Sequence, residues 1–397
     1  MIGWTSEQKE LREAIAMVGR KISLRHVERD EAGEFDIDGW RKLSEIGLLG
    51  LPFATEWGGL AQSLSTTLYV LEGLGCNCRD AGLSFSAVTH MVSTGIPLQR
   101  YGSPVLRERY LPKICSGTIV GAHAITEPGA GSDMMNMTTT AVRQGDHFVL
   151  TGAKTFVSNG PIADLVVVYA RTGKPGDVSG ITTFLVRRDS PGLSVGRPIR
   201  KMGLRTAPLA EIFLDHVMVP ADHVIGAPGS GFLVFDHVMK WEILCGFAVT
   251  LGEMQHRMER CVDYARSRHQ FGTNIGSYQA VSHRIVNMKI DVETSRKWVY
   301  GTAERILAKD DIAADVAITK LVVSEANLRS ALSAVQIFGG YGYTTEYGIE
   351  KELRNAVSGT IYSGTSEIHR ERIASLMGLN RPPLRQRARK DSDGQGF

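Results

Sequence analysis

Three stretches of the 397-residue sequence combine glycine, hydroxyl-bearing and aromatic residues in a way that a packed core does not require. They are residues 125–133 (ITEPGAGSD), 152–159 (GAKTFVSN) and 338–343 (FGGYGY), the last followed by 361–368 (IYSGTSEI). Each offers backbone N–H groups and hydroxyls beside an aromatic ring, which suits a planar heterocycle and its pyrophosphate. Taken singly, each is equally an ordinary glycine-rich turn. Together and in this order, they favour a cofactor site.

The residues before the first of these stretches have helical patterns. Thr5 and Gln8 have the spacing of a capping box, and the apolar residues that follow lie on one helical face. Further helical patterns cover residues 40–49, 66–74 and 87–101. The sequence therefore predicts an N-terminal helical region.

The helical pattern gives way to a strand pattern near residue 120, and the helical pattern returns at Gly231. Five short runs rich in β-branched and aromatic residues predict an antiparallel barrel or sandwich: 138–142, 148–151, 165–169, 182–186 and 211–214. Long helical patterns follow, as in the stripe of Val281, Ile285, Met288 and Val292. This segregated order predicts an α+β fold rather than a doubly wound sheet. No glycine fingerprint follows a strand, so a nucleotide cofactor would bind without a Rossmann unit.

Composition and charge narrow the classes of function. The formal net charge of +3 is carried by residues 381–397, which are predicted to form a disordered basic tail. The rest of the chain is near neutral, which gives no support for nucleic-acid binding. Five scattered cysteines without metal-ligand spacing predict no metal site and fit a reducing compartment. No apolar run spans a membrane and no secretion signal is evident, so we expect a cytoplasmic location.

The glycine-rich motifs resemble those of the acyl-CoA dehydrogenase family over residues 5–380. The motifs are TEPGAGSD, GAK…SN, MGLR at 202–205, RxxFG at 268–272 and QIFGGYGY. The resemblance implies an N-terminal α-helical domain at 1–121, a middle antiparallel β-barrel-like domain at 122–230 and a C-terminal four-helix bundle at 231–380. It also implies an FAD-dependent enzyme that oxidises the α,β bond of an acyl thioester.

The resemblance assigns cofactor roles residue by residue. Matches to flavin contacts within one subunit are Ile125, Thr126, Gly131, Ser132, Phe156, Ser158, Thr365 and Glu367. Matches to contacts that cross to a neighbouring subunit are Arg268, Phe271, Gln336 and Gly340. We therefore expect at least a homodimer, and the family implies a dimer of dimers. Glu367 departs from the glutamine often found there, as a tolerated surface change or as an altered cofactor contact.

The base is the informative departure from the family pattern. Many members carry a catalytic Glu in Tyr-Glu-Gly-Thr, but residues 362–365 here read YSGT. A second subgroup places the Glu on a long C-terminal helix, and counting back from Phe271 puts that position at Glu242. Glu242 lies in an otherwise apolar run, where a carboxylate is costly unless it is paired or has a function. The resemblance thus favours Glu242 as base over an ordinary paired glutamate. The backbone N–H of Ser363 is expected to hold the thioester carbonyl, with no catalytic role left for its side chain.

The substrate remains open between two kinds of thioester. Family members commonly have Arg after the base, where this chain has Ile243, and Trp241 precedes it. This combination also resembles the aminoacyl-carrier-protein dehydrogenases of pyrrole biosynthesis, so the acyl group is carried either on CoA or on a carrier protein. The acyl pocket is expected to draw on Ser84, Phe85 and Val88.

Three functions compete at this stage. A dehydrogenase would pass electrons to an electron-transfer flavoprotein or similar acceptor. An oxidase or monooxygenase on the same fold would use oxygen directly, and a non-catalytic member would serve as a binding subunit. A base suited to an α proton favours the first, and flavin-contact motifs argue against the third.

Overall fold

The computed structural model describes residues 3–174, 177–310 and 312–379, so the predicted tail at 381–397 lies outside the described residues. Its α-helices are α1 (Ser6–Ile22), α2 (His26–Ala32), α3 (Ile37–Glu45), α4 (Leu64–Asn77), α5 (Ala81–Val88), α6 (Ile96–Tyr101), α7 (Pro104–Cys115), α8 (Gly231–Ser267), α9 (Gln279–Leu307), α10 (Ala313–Phe338), α11 (Gly340–Tyr343), α12 (Ile349–Ser358) and α13 (Ser366–Leu376). Its strands are β1 (Gly121–Ala124), β2 (Thr140–Gln144), β3 (His147–Ser158), β4 (Leu165–Arg171), β5 (Ile181–Arg187), β6 (Leu193–Val195), β7 (Leu209–Pro220), β8 (Val224–Ile225), β9 (His269–Gln270) and β10 (Thr273–Asn274).

The first helices form as the sequence predicts. The capping box is present at α1: the Thr5 side chain accepts from the N–H of Gln8, and the Gln8 side chain accepts from the N–H of Thr5. Helix α4 packs against α8 so closely that two glycines lie in direct contact with the backbone of the opposite helix. A Cβ on Gly75 would lie 1.9 Å from the carbonyl oxygen of Val249, and one on Gly252 would lie 2.1 Å from that of Glu72. Glycine at these two positions therefore sets how closely the N-terminal helices approach α8.

Between α5 and α6 the helix widens into a π-helical segment. This segment, Thr89–Gly95, is buried at every residue. The sequence predicts one continuous helix over 87–101, and the structure divides that range. π-turns of this kind are frequent at functional sites, and this one carries Ser93.

The β region is an eight-stranded sheet in the order β6-β7-β3-β2-β4-β5-β8, with β1 pairing with β4 off this path. Most pairs are antiparallel, but β1 and β2 both run parallel to β4. One face of the sheet has its own apolar core, whereas Val167, Tyr169 and Leu185 on the other face join the core of the helices. The sheet therefore presents β4 and β5 to the helices.

The C-terminal region is built from three long helices, α8, α9 and α10, with α13 packed along α10 as a fourth. Within the described ranges, no helix is both long and apolar enough to cross a membrane. Helix α8 has 37 residues and contacts α4, the π segment, β5, α9 and α10. A side chain on α8 is therefore held by all three regions of the chain.

Candidate functional site

Glu242 lies on α8 where the three regions meet. Its Oε2 accepts a hydrogen bond of 2.8 Å from the Ser93 hydroxyl, and its Oε1 accepts one of 2.5 Å from the Ser363 hydroxyl. Ser93 comes from the π segment, and Ser363 from the turn after α12. Both carboxylate oxygens are thus fixed by neutral donors. The side chain as a whole remains 22% exposed.

The environment of Glu242 suits a general base. Burial raises the pKa of Glu242, and the hydrogen bonds from Ser363 and Ser93 oppose part of that rise. Nδ1 of His123 on β1 lies 3.9 Å from Oε2, too far for a hydrogen bond. Burial lowers the pKa of His123 to about 3, so this imidazole is neutral at physiological pH. A carboxylate with a raised pKa and no cation beside it is a stronger proton acceptor than a surface glutamate.

The turn that carries Ser363 has an unusual backbone. Ser363 and Gly364 both have positive φ, 54° and 92°. A Cβ on Gly364 would lie 2.8 Å from Nε2 of His369, which lies 2.9 Å from the Ser363 carbonyl oxygen. Among the described residues, the N–H of Ser363 has no acceptor. The turn therefore leaves a free backbone donor next to the carboxylate.

A buried ion pair joins the first two glycine-rich stretches. Lys154 on β3 donates to Oε1 of Glu127 over 2.7 Å and to the carbonyl of Ile125 over 3.0 Å. The side chains of Lys154 and Glu127 are 0% and 2% exposed. Burial alone would raise the pKa of Glu127, but Lys154 and the donors from Thr138 and Thr139 outweigh it and lower the pKa to about 2. Residues 152–158 are part of β3, so our interpretation of that stretch as a loop was wrong.

Around this ion pair, several predicted flavin contacts are accessible. Phe156 is 63% exposed at a φ of 54°, which turns an aromatic ring outward from β3. Gly131 and Ser132 are exposed, and among the described residues their N–H groups have no acceptor. The other predicted contacts are Ile125 and Thr126 after β1 and Ser158 at the end of β3, while Thr365 and Glu367 lie at the start of α13, which packs on α10. A free N–H pair beside an exposed ring fits a heterocycle with a pyrophosphate.

The four residues predicted to serve a neighbouring subunit lie at the far end of α8 and α10. Arg268 follows α8, and its guanidinium lies 5.8 Å from the centre of the Tyr341 ring. With Gly340 it lines an open groove of about 700 Å³, while Gln336 is exposed on α10. No residue of the flavin group around β3 lines this groove. Phe271 is 95% exposed at the tip of the β9–β10 hairpin. The predicted cofactor residues therefore fall into two separate surfaces of one chain.

A small cavity lies along α8 from Gly246, one helical turn after Glu242, and Glu242 itself does not line it. About 30 Å³ of open space is lined by Phe85, Val88, Gly246, Tyr362 and Glu253, among others. Burial raises the pKa of Glu253, one of the lining residues, to about 7. Ser84, the third predicted pocket residue, is fully buried and donates to the Asp80 carbonyl over 3.2 Å, so it does not line the cavity.

Sequence reasoning missed several residues at this site. Ser93 and His123 are not part of the motifs, and nothing local to them signals a partner on α8. The hydroxyl of Ser363, for which we expected no role, is bonded to Glu242. Glu253 stands eleven positions after Glu242, close to three helical turns, and this spacing is a signal that could have been read.

Comparison with known proteins covers most of the chain. Three family models match: acyl-CoA dehydrogenase N-terminal domain at 5–118, middle domain at 122–217 and C-terminal domain at 229–378. An L-prolyl-[peptidyl-carrier protein] dehydrogenase of Pseudomonas fluorescens is 40% identical over 86% of this chain and 90% of its own. The crystal structure of the prolyl acyl carrier protein oxidase AnaB has a TM-score of 0.92 at 38% identity, covering 95% of this chain and 100% of its own. The FAD complex of PigA has a TM-score of 0.92 at 34% identity, covering 96% and 99%.

Proposed function

The chain belongs to the acyl-CoA dehydrogenase family, and from this we propose that it oxidises an aminoacyl thioester of the prolyl kind carried by a carrier protein. As a family member it is an FAD-dependent oxidoreductase that acts on the CH–CH bond of an acyl thioester. The proposal concerns the acyl group, its carrier and the residues that do the work. The observation that carries it is Glu242, which is held at both oxygens by serine hydroxyls and, among the described residues, forms no ion pair with a lysine or arginine.

Glu242 takes the α proton of the substrate in the proposed reaction. Its pKa is raised and both of its oxygens are fixed, so the carboxylate is positioned to accept a proton. The free N–H of Ser363 donates to the thioester carbonyl and so stabilises the negative charge that develops there. The hydroxyls of Ser93 and Ser363 orient the base. Ser363 therefore contacts both the base, through its hydroxyl, and the thioester carbonyl, through its N–H.

FAD is held between two subunits in this proposal. The N–H groups of Gly131 and Ser132 and the exposed ring of Phe156 fit its pyrophosphate and its ring system. The remaining contacts within the subunit come from Ile125, Thr126, Ser158, Thr365 and Glu367. The bound flavin supplies the acceptor for the hydride that leaves the β carbon.

Two observations support a carrier-bound, compact acyl group. Ile243 is 2% exposed and packs in the core, so the position that holds arginine in many members offers no charge to a CoA substrate. The cavity of about 30 Å³ at Gly246, one helical turn after Glu242, is small compared with a drug-sized pocket of ~300–1,000 Å³. The names of the relatives with 40% and 38% identity both specify prolyl thioesters on carrier proteins.

The proposal predicts a preference for the carrier-bound substrate. In anaerobic stopped-flow experiments, prolyl-carrier protein should bleach the flavin with a specificity constant at least about tenfold above that of prolyl-CoA, roughly 1.4 kcal/mol. Butyryl-CoA serves as the unbranched control. Equal constants for both prolyl thioesters would remove the carrier from the proposal, and faster bleaching by butyryl-CoA would remove the prolyl group.

For the electrons we propose an electron-transfer flavoprotein or a similar acceptor. The relative with 40% identity is named a dehydrogenase, whereas the similar structure is named an oxidase, so oxygen is the competing acceptor. Mixing substrate-reduced enzyme with air-saturated buffer separates the two. Slow reoxidation that an electron-transfer flavoprotein accelerates supports the first, and rapid reoxidation by air supports the second.

Arg268→Ala should weaken FAD binding, because a cross-subunit cation on the pyrophosphate is lost. A charge-assisted hydrogen bond contributes about 1.5–3 kcal/mol, so we expect FAD to bind roughly 10–100-fold more weakly. The measurement is the flavin content of the purified protein after dialysis, with Arg266→Ala, two residues earlier in the last turn of α8, as control. Full retention of flavin by Arg268→Ala would contradict the assignment of the groove to a neighbour's FAD.

The exposed Phe271 gives the same proposal a second support. A side chain that is 95% exposed at the tip of a hairpin, with Gly272 at a φ of 83°, is held outward by backbone geometry rather than by packing. Such a residue suits insertion into another subunit. We therefore propose a dimer of dimers in which each groove completes the flavin site of its neighbour.

A further inference from the structure

His123 has no place in the reaction as described so far, yet it is the third polar group at the base. It lies on β1, and its side chain is 8% exposed. Its neighbours on the same face of the sheet, Val167 and Tyr169, belong to the apolar core under α8. Among the described residues, Nε2 of His123 has no hydrogen-bond partner. Because a buried unpaired nitrogen costs free energy, packing alone does not explain an imidazole here.

The negative charge of Glu242 gives a better reason for an imidazole at position 123 than packing does. Among the described residues, no lysine or arginine forms an ion pair with Glu242, so the ionised carboxylate depends on neutral dipoles. The two serine hydroxyls supply one hydrogen bond to each oxygen, and a carboxylate can accept about four. Beyond these two hydroxyls, Nδ1 of His123 lies 3.9 Å from Oε2. An N–H at Nδ1 directed at the carboxylate lowers the cost of its charge.

We infer that His123 is a positioning residue that acts through Glu242: its neutral imidazole directs the Nδ1–H dipole at Oε2 and keeps the base ionised. The edge of the ring lies against Tyr169, with centroids 5.3 Å apart and planes at 75°. This contact holds the ring in the orientation that aims Nδ1 at α8. The inference rests on the proposed role of Glu242 as base.

Other titratable groups near the pair do not replace this dipole. On the π segment, His90 accepts from the N–H of Gly121 and contacts the Ile114 carbonyl, so both of its nitrogens are occupied. Lys154 on β3 is paired with Glu127. Tyr169 on β4 and Tyr362 beside Ser363 both have their pKa raised by burial and stay neutral. These groups bring no charge to Glu242, so we expect the removal of His123 to move the ionisation of Glu242.

The test is the pH dependence of α-proton removal. A 3-thia-acyl thioester has an acidic α proton but no β hydrogen to lose, so exchange of its α proton in D₂O reports the base without the hydride step. His123→Leu should move the acid limb of the exchange rate about one pH unit higher, so the rate well below both limbs falls about tenfold while the plateau stays unchanged. His123→Asn, which keeps an amide donor near the Nδ1 position, should hold the limb where the parent has it.

Two further variants make the result decisive. His123→Gln places its amide near the Nε2 position instead, so the acid limb of its exchange rate should move as it does in His123→Leu. Comparison of the Asn and Gln variants therefore tests the inference even where His123→Leu does not fold. The inference is overturned if the acid limb of the exchange rate in His123→Leu stays where the parent has it. It is also overturned if the exchange rate of this variant falls by the same factor at every pH. Glu242→Gln separates the failures: persistent exchange in that variant refutes the base itself, whereas its loss beside an unmoved limb in His123→Leu refutes only the role of His123.

Discussion

Replacing Glu242 with glutamine should leave the protein folded and yellow but slow its reduction by substrate about 10²–10⁴-fold, as expected for removal of a positioned base. Glutamine keeps the shape of the side chain, and its amide oxygen can still accept from Ser93 or Ser363. It cannot take a proton at neutral pH, so the α C–H bond is not broken. The measurement is the rate of anaerobic flavin bleaching by an accepted thioester, together with the flavin content.

The matched control for this prediction lies on the same helix. Glu259→Gln makes the same chemical change at an exposed position on α8 and should bleach at the parent rate. In the parent, bleaching should also rise with pH through a value above the ordinary glutamate pKa of 4.5, because burial raises the pKa of Glu242 and only its ionised form is a base. Undiminished bleaching in Glu242→Gln would remove this residue from the chemistry.

Lys154→Met should destabilise the protein by about 3–5 kcal/mol, because it leaves the Glu127 carboxylate buried without its counter-ion. The pair is almost inaccessible to water and ties the stretch after β1 to β3. We expect a lower unfolding temperature and a loss of bound flavin, since Ile125 and Thr126 would lose their anchor. Differential scanning calorimetry of the flavin-loaded protein measures the first, and the visible spectrum measures the second.

Two comparisons identify the buried pair as the cause. Lys289→Met breaks an exposed pair with Glu293 on α9 and should cost only about 0.3–0.5 kcal/mol. The double variant Glu127→Gln/Lys154→Met removes both charges and should recover part of the loss. If Lys154→Met melts at the parent temperature, the pair does not hold the two stretches together.

The pH dependence of this pair has a definite sign. Its lowered pKa means that Glu127 contributes stability that is fully present above about pH 4.5 and is lost as the pH falls towards 2. The parent protein should therefore lose thermal stability across this range. The double variant, which lacks the carboxylate, should lose less.

Local patterns predicted much of the fold. The capping box at Thr5 and Gln8, the helical stripes and five of the eight strands of the large sheet depend on residues a few positions apart, which the sequence displays directly. Strand β1 was not predicted, because its four residues include two alanines and pair with a strand more than forty positions away. The π segment was not predicted either, since its widened turn reflects what packs around it.

The site divides in the same way. Glu242 could be found because a resemblance located it and the apolar residues around it made its charge conspicuous. The hydrogen bonds that hold its carboxylate join positions 149 and 121 residues apart, to Ser93 and Ser363 respectively. His123 and the ion pair of Lys154 with Glu127 likewise depend on tertiary packing. The resemblance therefore located Glu242, but not the residues that tertiary packing brings to it.

The π-helical turn at Thr89–Gly95 restricts the kind of sequence change that this enzyme can survive. All seven residues are buried, and Ser93 reaches α8 only because the turn is wider than an α-helical one. A side chain of similar size could be exchanged here with modest repacking. Loss of one residue would rotate one half of the helix against the other by about 100°. That rotation would carry the Ser93 hydroxyl away from the carboxylate. In this segment, substitutions should therefore be tolerated far more often than insertions or deletions.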